Sequence, residues 1–346
     1  MPTIQEGQGD TMNDVQLAGT HEEIGRAYGE YIAKRKLGEW WREPSPKKLE
    51  FVKACERAIA EHAPGYLDEL RALAEATSAE YYVVLSSMIV SDWLDFPACN
   101  VVAVSGSQTT NGRTVFIRNH DWEDEDIEYV TCFRTALKNG IRHIAFGYAD
   151  PGRYGGINEA GLAIGGSSIP FYTGKLKPGL RMNVVTRLVL DTCPDVMSAV
   201  EFIKRVPHME GIAYLLADKS GLVSRVEAAP EEGVEVAITN DGMLATVNMF
   251  QSEALSPYDR ISDNGDWVYE FQRRTAAWYK MHRGAIDLDE GIRFASDHDI
   301  GICNHGEPNV RCPTIYSWVG ELGTGELHVA LGRPCENEYR RFRLDA

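Results

Sequence analysis

At Pro97 the hydrophobic rhythm of this chain changes. Before it, apolar residues recur at three- and four-residue spacings. After it, short β-branched runs are separated by Gly, Asn and Asp. The two periods bury different faces, so a segment written for one does not settle as the other. Helices grouped first and strands grouped later predict an α+β chain with antiparallel sheets, not a regular βαβ alternation.

The helical part begins after an arm expected to be flexible, residues 1 to about 18. In "GTHEEIGRAYGEYIAKR", Thr20 stands as N-cap with Glu23 three residues on, the capping-box pattern. "KKLEFVKACERAIAEHAPGYLDELRALAEAT" reads as two helices broken at Pro64 and Gly65. "SAEYYVVLSSMIVSDWLDF" reads as a further, more buried helix. After Pro97, "NVVAVSG", "RTVFIRN", "IRHIAFGYA", "GLAIGGSSI", "AYLLADKSG", "LVSRVEAA", "VEVAITN" and "MLATVNMF" read as strands. Two helices split near Pro194 interrupt them. A polar loop with one helix covers roughly Pro257 to Gly284, and a hairpin around Gly323–Gly325 closes the chain.

The 346 residues fit one large domain. A net charge of −16 argues against a nucleic-acid partner, since phosphate binding needs a basic surface, and is compatible with cationic small molecules. The apolar run near Tyr81–Val90 is too short to span a bilayer, and the first residues lack a basic start and an apolar core. The reading is therefore a cytoplasmic protein without a membrane partner. Seven widely spaced cysteines without a CxxC pair read as reduced thiols.

The chemistry is concentrated in "DFPACNVVAVSGSQTTNGRTVFIRNHDWEDED", Asp95 to Asp126. Asn111-Gly112 between two β runs predicts a tight hairpin. If Thr110 pairs with Arg113, Asp121 falls opposite Val102 and Arg118 opposite Ser105, bulges aside. Cys99 then lies near a carboxylate and a guanidinium, and a neighbouring cation favours the reactive thiolate. Pro97 restrains the entry to the Ala98–Cys99 bond, and Ala98 leaves its carbonyl little crowded. A thiol can attack the carbonyl before it, and hydrolysis of the resulting ester leaves Cys99 with a free α-amine. That amine, with an ordinary pKa of about 7.7–8.0, can serve as base to its own thiol. The bland alternatives are a buried structural cysteine and an Arg118–Asp121 ion pair.

Taken together, these stretches resemble the penicillin acyltransferase group of autoproteolytic N-terminal-nucleophile (Ntn) hydrolases. They are more distantly similar to choloylglycine hydrolases and penicillin V acylases. "ACNVVAV" resembles the group's cleavage site, and "RNHDW" resembles its Arg-Asn-x-Asp element. "GINEAGLAIGGSSIP" resembles its Gly-x-Asn-Glu-x-Gly-Leu segment, and "ATVNMF" its oxyanion segment. "SPYDR" resembles a Ser-x-x-x-Arg element, and "SDHDIGICNH" with "GRPCENEYRRFRL" resembles its C-terminal signature. The resemblance implies a four-layer αββα sandwich with an N-terminal helical segment. It divides the chain into a small subunit, residues 1–98, and a catalytic segment, residues 99–346, in one compact unit. It implies Cys99 as nucleophile and Asp121 on its amine. Arg118 would steer the thiol, Asn248 would be the oxyanion donor, and Arg260 a second arginine. Trp122, His120 and Ser168 would face substrate. The chain departs from the pattern in Asn100 after the nucleophile, in Val247 and Met249 around Asn248, and in Ser168 where choloylglycine hydrolases carry asparagine.

Asp297, His298, Asp299, Cys303 and His305 match no strong zinc spacing and read as a polar turn, with no metal. A papain-like histidine partner lacks its sequence context. Gly155-Gly156 and Gly165-Gly166 form no dinucleotide fingerprint and read as turns and bulges. "DWEDEDIEY" reads as a solvated acidic loop, or more sharply as a rim that favours a cationic amine. The expectation is a cofactor-free hydrolase of a small linear amide, with its own N-terminal fragment as partner and a homo-oligomer left open. An acyl-CoA-dependent N-acyltransferase and an unprocessed, non-catalytic binding protein are the alternatives.

Overall fold

The computed structural model describes residues 12–89, 99–148, 150–261, 266–299, 301–306 and 312–344. It opens with strand β1 (Asn13–Gly19), followed by helices α1 (His21–Arg35), α2 (Pro46–His62), α3 (Pro64–Thr77) and α4 (Tyr81–Ile89). Thr20 caps α1 through the predicted box, its hydroxyl accepting from the Glu23 N–H while Glu23 accepts from the Thr20 N–H. Gly25 and Gly29 let α1 lie directly on α3. A Cβ at Gly25 would stand 2.0 Å from Glu69 O, so no larger residue fits that crossing.

Two sheets follow. The first orders its strands β1, β4 (Thr131–Leu137), β5 (His143–Gly147), β6 (Gly155–Asn158), β7 (Leu162–Ser168), β8 (Ile212–Asp218), β9 (Val223–Ala229) and β10 (Gly233–Thr239). The second orders β11 (Met243–Thr246), β2 (Cys99–Val104), β3 (Val115–Asp121), β12 (Thr314–Glu321), β13 (Glu326–Leu331) and β14 (Arg340–Arg343). Helices α5 (Met182–Thr192) and α6 (Val196–Arg205) flank the Pro194 break, as predicted. Helices α7 (Asp266–His282) and α8 (Leu288–Ser296) follow β11.

Three apolar cores stack these elements into four layers. One joins α1–α6 to the first sheet through Tyr28, Leu70, Leu188, Phe133 and Leu216. The second lies between the sheets, where Val101, Ala103, Phe116 and Trp318 meet Ile144, Phe146 and Leu215. The third packs α7 and α8 on the second sheet through Trp267, Trp278, Phe294, Val102 and Ile117. The αββα order is thus fixed by alternate residues of the same strands, since period-2 side chains feed two different cores.

Three expectations are corrected. Residues 13–19 are not a flexible arm but strand β1, whose Val15 and Leu17 are buried. β1 pairs with β4 in parallel, Asn13 with Thr131 through Gly19 with Leu137, so the first sheet is mixed, not purely antiparallel. The apolar alternation in β1 is short, and its partner lies far along the chain. Residues 1–11, which fall in the rest of that arm, lie outside the described residues. The glycine pairs are not turns either. Gly155-Gly156 and Gly165-Gly166 lie inside β6 and β7, where Gly155 stands opposite Gly165 across the ladder.

Candidate active site

The β2–β3 register differs from the hairpin prediction. Cys99 pairs with His120 and Val101 with Arg118, a shift of the whole strand against the predicted pairing. Asn111-Gly112 does not form a two-residue hairpin. Gly112 has a positive φ of 76° and Asn111 does not, so the type I′ requirement is unmet. A long loop replaces the tight turn because its groups bond elsewhere. Ser105 N–H donates to Gly242 O, Thr110 N–H to Ile286 O, and the Thr109 hydroxyl to Gly106 O and Arg113 O. The outcome brings Arg118, His120 and Asp121 nearer Cys99 than the predicted register did.

Alternation along these strands assigns faces. Val101 and Phe116 point into the core between the sheets, so Cys99, Arg118 and His120 share that side. Arg118 Nη2 is 3.6 Å from Cys99 Sγ and donates to His120 Nδ1 at 2.9 Å, while Nη1 donates to Gly166 O at 2.6 Å. Cys99 Sγ is also 3.6 Å from His120 Nδ1. A guanidinium has no acceptor, so His120 Nδ1 accepts, and its Nε2–H faces Tyr148 Oη at 2.7 Å. The glycines of β6 and β7 make this fit. A Cβ at Gly155 would stand 3.2 Å from Arg118 Cδ, and one at Gly165 would stand 3.3 Å from Arg118 Nη1.

Three consecutive residues of β7 then each hold one part of the cluster. Gly166 O takes Arg118, the Ser167 hydroxyl donates to Cys99 O at 2.8 Å, and Ser168 O accepts from Asn248 Nδ2 at 2.8 Å. Asn248 Oδ1 accepts the Cys99 N–H at 2.7 Å. Asn248 is buried with φ 60°, a left-handed conformation that asparagine tolerates better than most residues. Asn119 and Asp121 face the opposite side. Asn119 donates to Ala295 O and Ile302 O; Asp121 accepts from the Thr314 hydroxyl at 2.7 Å and from Asn304 Nδ2 at 3.4 Å.

Burial raises the Cys99 thiol pKa, and Arg118 pulls it back down. Burial disfavours the Arg118 cation, but its interactions with Cys99 and Tyr316 favour it, and its pKa is raised. Burial, and then Arg118, hold His120 well below its usual range, so it stays neutral. Burial pushes Asp121 up to about 8 against the Thr314 and Asn304 hydrogen bonds. A neutral His120 that already accepts from Arg118 is a poor base for the thiol, which separates this arrangement from a papain-like pair.

Other expected residues stand as follows. Trp122 is half-buried beside His120 and donates to Asp126; His120 also packs on Tyr316, ring centroids 4.6 Å apart. Of the acidic loop, Asp124 pairs with Arg333 and Glu123 takes the Cys312 thiol. Arg260 is exposed, with its backbone N–H on Phe171 O, and among the described residues no contact joins its guanidinium to the cluster. Ala98 lies outside the described residues. Ser167, Thr246, Tyr148, Tyr316, Thr314 and Asn304 were not singled out in the sequence. Ser167, Thr246 and Asn304 lay inside the motifs of the resemblance, Ser167 and Asn304 each beside a residue that had been chosen.

Among the described residues no helix is long and apolar enough to cross a membrane. A comparison with curated protein sequences finds no match. Among solved structures, the chain is similar to an N-acylethanolamine-hydrolyzing acid amidase ortholog of Caenorhabditis elegans. That likeness has 14% identity, covers 64% of this chain and 91% of that one, and has a TM-score of 0.46. It is also similar to a mutant conjugated bile acid hydrolase of Clostridium perfringens, with 15% identity, 70% and 96% coverage and a TM-score of 0.45. Penicillin V acylase of Agrobacterium tumefaciens gives 16% identity, 67% and 82% coverage and a TM-score of 0.45. The sequence profile of one family matches residues 107–334, a span that holds Arg118, Asp121, Ser168 and Asn248 but not Cys99. With more than half its length so matched, the chain belongs to the acyl-coenzyme A:6-aminopenicillanic acid acyl-transferase family.

Proposed function

We propose that this chain cuts itself before Cys99 and that the freed N-terminal cysteine then hydrolyses a small linear amide. The observation that carries the reading is the start of β2, where Asn248 holds the Cys99 nitrogen and Arg118 lies beside its sulfur. In maturation the thiol attacks the Ala98 carbonyl. The Ala98–Cys99 C–N bond is exchanged for a thioester, and the nitrogen takes up the thiol proton. Water then splits the thioester into an Ala98 carboxylate and a free Cys99 thiol and α-amine.

In turnover the α-amine takes the thiol proton, and the thiolate attacks the substrate carbonyl. The Asn248 amide and a backbone N–H stabilise the oxyanion. The leaving amine takes the proton back, and water resolves the acyl thioester. Arg118 favours the thiolate, and Trp122, His120 and Ser168 border the substrate. Residues up to 98 remain as the small subunit. The β1–β4 ladder, the shared core and the buried Arg187–Glu69 pair, 2.9 Å, give that segment reason to stay bound.

The test is release of amine from N-acyl amines and aminoacyl amides, with and without coenzyme A thioesters. Release without coenzyme A supports the hydrolase. Strict dependence on an acyl thioester supports the acyltransferase, which the family's description favours. No turnover by a chain that stays whole leaves the binding protein.

Asp121 adds a prediction for the uncleaved chain. Its folded pKa of about 8 lies above the unfolded value of about 3.9. Between these the unfolded chain gives up a proton that the folded chain keeps, so stability falls as pH rises from about 4 to about 8. One such group contributes at most about 1.4 kcal/mol per pH unit. Denaturant unfolding at several pH values is expected to show a shallower fall for Cys99→Ala/Asp121→Asn than for Cys99→Ala alone. Equal slopes would mean that Asp121 ionises normally.

A further inference from the structure

His298, Cys303, His305 and Cys335 converge apart from the Cys99 cluster. Each offers one donor atom, and all four atoms lie within 4.8 Å of one another. His305 Nε2 is 3.0 Å from His298 Nε2 and 3.1 Å from Cys335 Sγ. Three of the residues come from the turn after α8, and the fourth arrives beyond β13. We propose that these four side chains form a closed structural zinc site.

Two imidazoles and two thiolates are a donor set that Zn²⁺ takes up tetrahedrally. With Zn–N of about 2.0–2.1 Å and Zn–S of about 2.3 Å, neighbouring ligand atoms stand roughly 3.3–3.8 Å apart. These four atoms are gathered on that scale. The other ring nitrogen of His305, Nδ1, lies 3.7 Å from the Glu336 carboxylate. At that distance the carboxylate attracts the ring without a direct hydrogen bond, and Nε2 is the nitrogen turned toward His298 and Cys335. Four protein donors complete the coordination, so the ion has no open position for a reacting water and its work is structural.

Spacing alone could not assemble this set, because Cys335 is remote in sequence from the other three. The site has a consequence for the rest of the molecule. Asn304 sits between two of the ligands; its N–H donates to the Thr314 hydroxyl at 3.1 Å and its side chain reaches Asp121. Cys303 N–H donates to Asp297 O at 3.1 Å, closing the same turn. The ion would tie this turn to the chain after β13 and so hold both partners of Asp121 in place. The inference does not depend on the acyl-transfer reading, since metal binding needs only these four side chains.

The test uses the full-length purified chain. Zinc is measured by inductively coupled plasma mass spectrometry after exchange into metal-free buffer, beside Cys335→Ser and His305→Ala. About one zinc per wild-type chain is expected, falling at least about tenfold in each variant. Because a variant can fail to fold, the wild type is also produced in zinc-depleted, cobalt-supplemented medium. Thiolate-to-cobalt charge transfer and tetrahedral visible bands are then expected. A folded wild type with neither zinc nor these bands would overturn the proposal. So would zinc retained by both variants, or an intact mass two hydrogens lower that reports a Cys303–Cys335 disulfide.

Discussion

Cys99→Ala is expected to give a single chain where the wild type gives two fragments joined, before processing, at Ala98 and Cys99. Intact-mass measurement on freshly purified protein reads this directly. The same substitution is expected to lower amide turnover by at least about 10³-fold, because nucleophile and base are lost together. The physical case rests on what surrounds the sulfur. Burial raises the thiol pKa and would leave it inert, and Arg118 is the group that works against this. Cys99→Ser separates the two steps, since a hydroxyl can attack the preceding carbonyl but is a far weaker nucleophile at neutral pH. A wild-type chain that stays whole sinks the maturation step. Cys99→Ala turning over at the wild-type rate sinks the nucleophile.

The second large effect is expected at Asn248. Its side chain accepts the Cys99 N–H through Oδ1 and donates to Ser168 O through Nδ2. Asn248→Asp keeps the acceptor and removes both N–H groups. It is expected to lower kcat about 10²–10³-fold, or about 2.7–4 kcal/mol of transition-state stabilisation, if this amide holds the oxyanion. Asn248→Ala removes acceptor and donors alike, and its fall should be at least as large. Alanine at φ 60° also strains the backbone by about 1–2 kcal/mol, so both variants need a melting curve beside their kinetics. Full activity in Asn248→Asp would remove the amide from the oxyanion site while leaving its hold on the Cys99 nitrogen intact.

Much of the layer order was legible, and the site only in part. The capping box at Thr20, the break at Pro64, the helix pair around Pro194 and most strands are local events. Propensity, capping and turn chemistry act over a few residues, so the chain states them directly. β1 escaped because its meaning depends on β4. Strands β4, β6 and β14 and helix α8 escaped for related reasons. Arg340–Arg343 is a strand only because β13 offers it an edge. In the site, Cys99, Arg118, Asp121 and Asn248 were each singled out in the sequence. Their mutual placement was not, since the predicted hairpin put Arg118 opposite Ser105 whereas it stands opposite Val101.

The class of this protein is written locally in the chain: four helices before Pro97, most strands after it, and one cysteine opening the first β run past Pro97 with an Arg-Asn-His-Asp element on the next. Periodicity and motif are properties of neighbours along the chain, and they survive without the fold. Tertiary structure alone decided which atoms meet. Gly155 and Gly165 read as turns until Arg118, from another sheet, needed the space that their missing side chains leave. Ser167 read as one of two serines until its hydroxyl met Cys99 O. Cys335 read as one of seven reduced thiols until the return of the chain after β13 set it against His305. Contacts between distant segments are set by the packing of whole layers, and no short window of sequence carries that information.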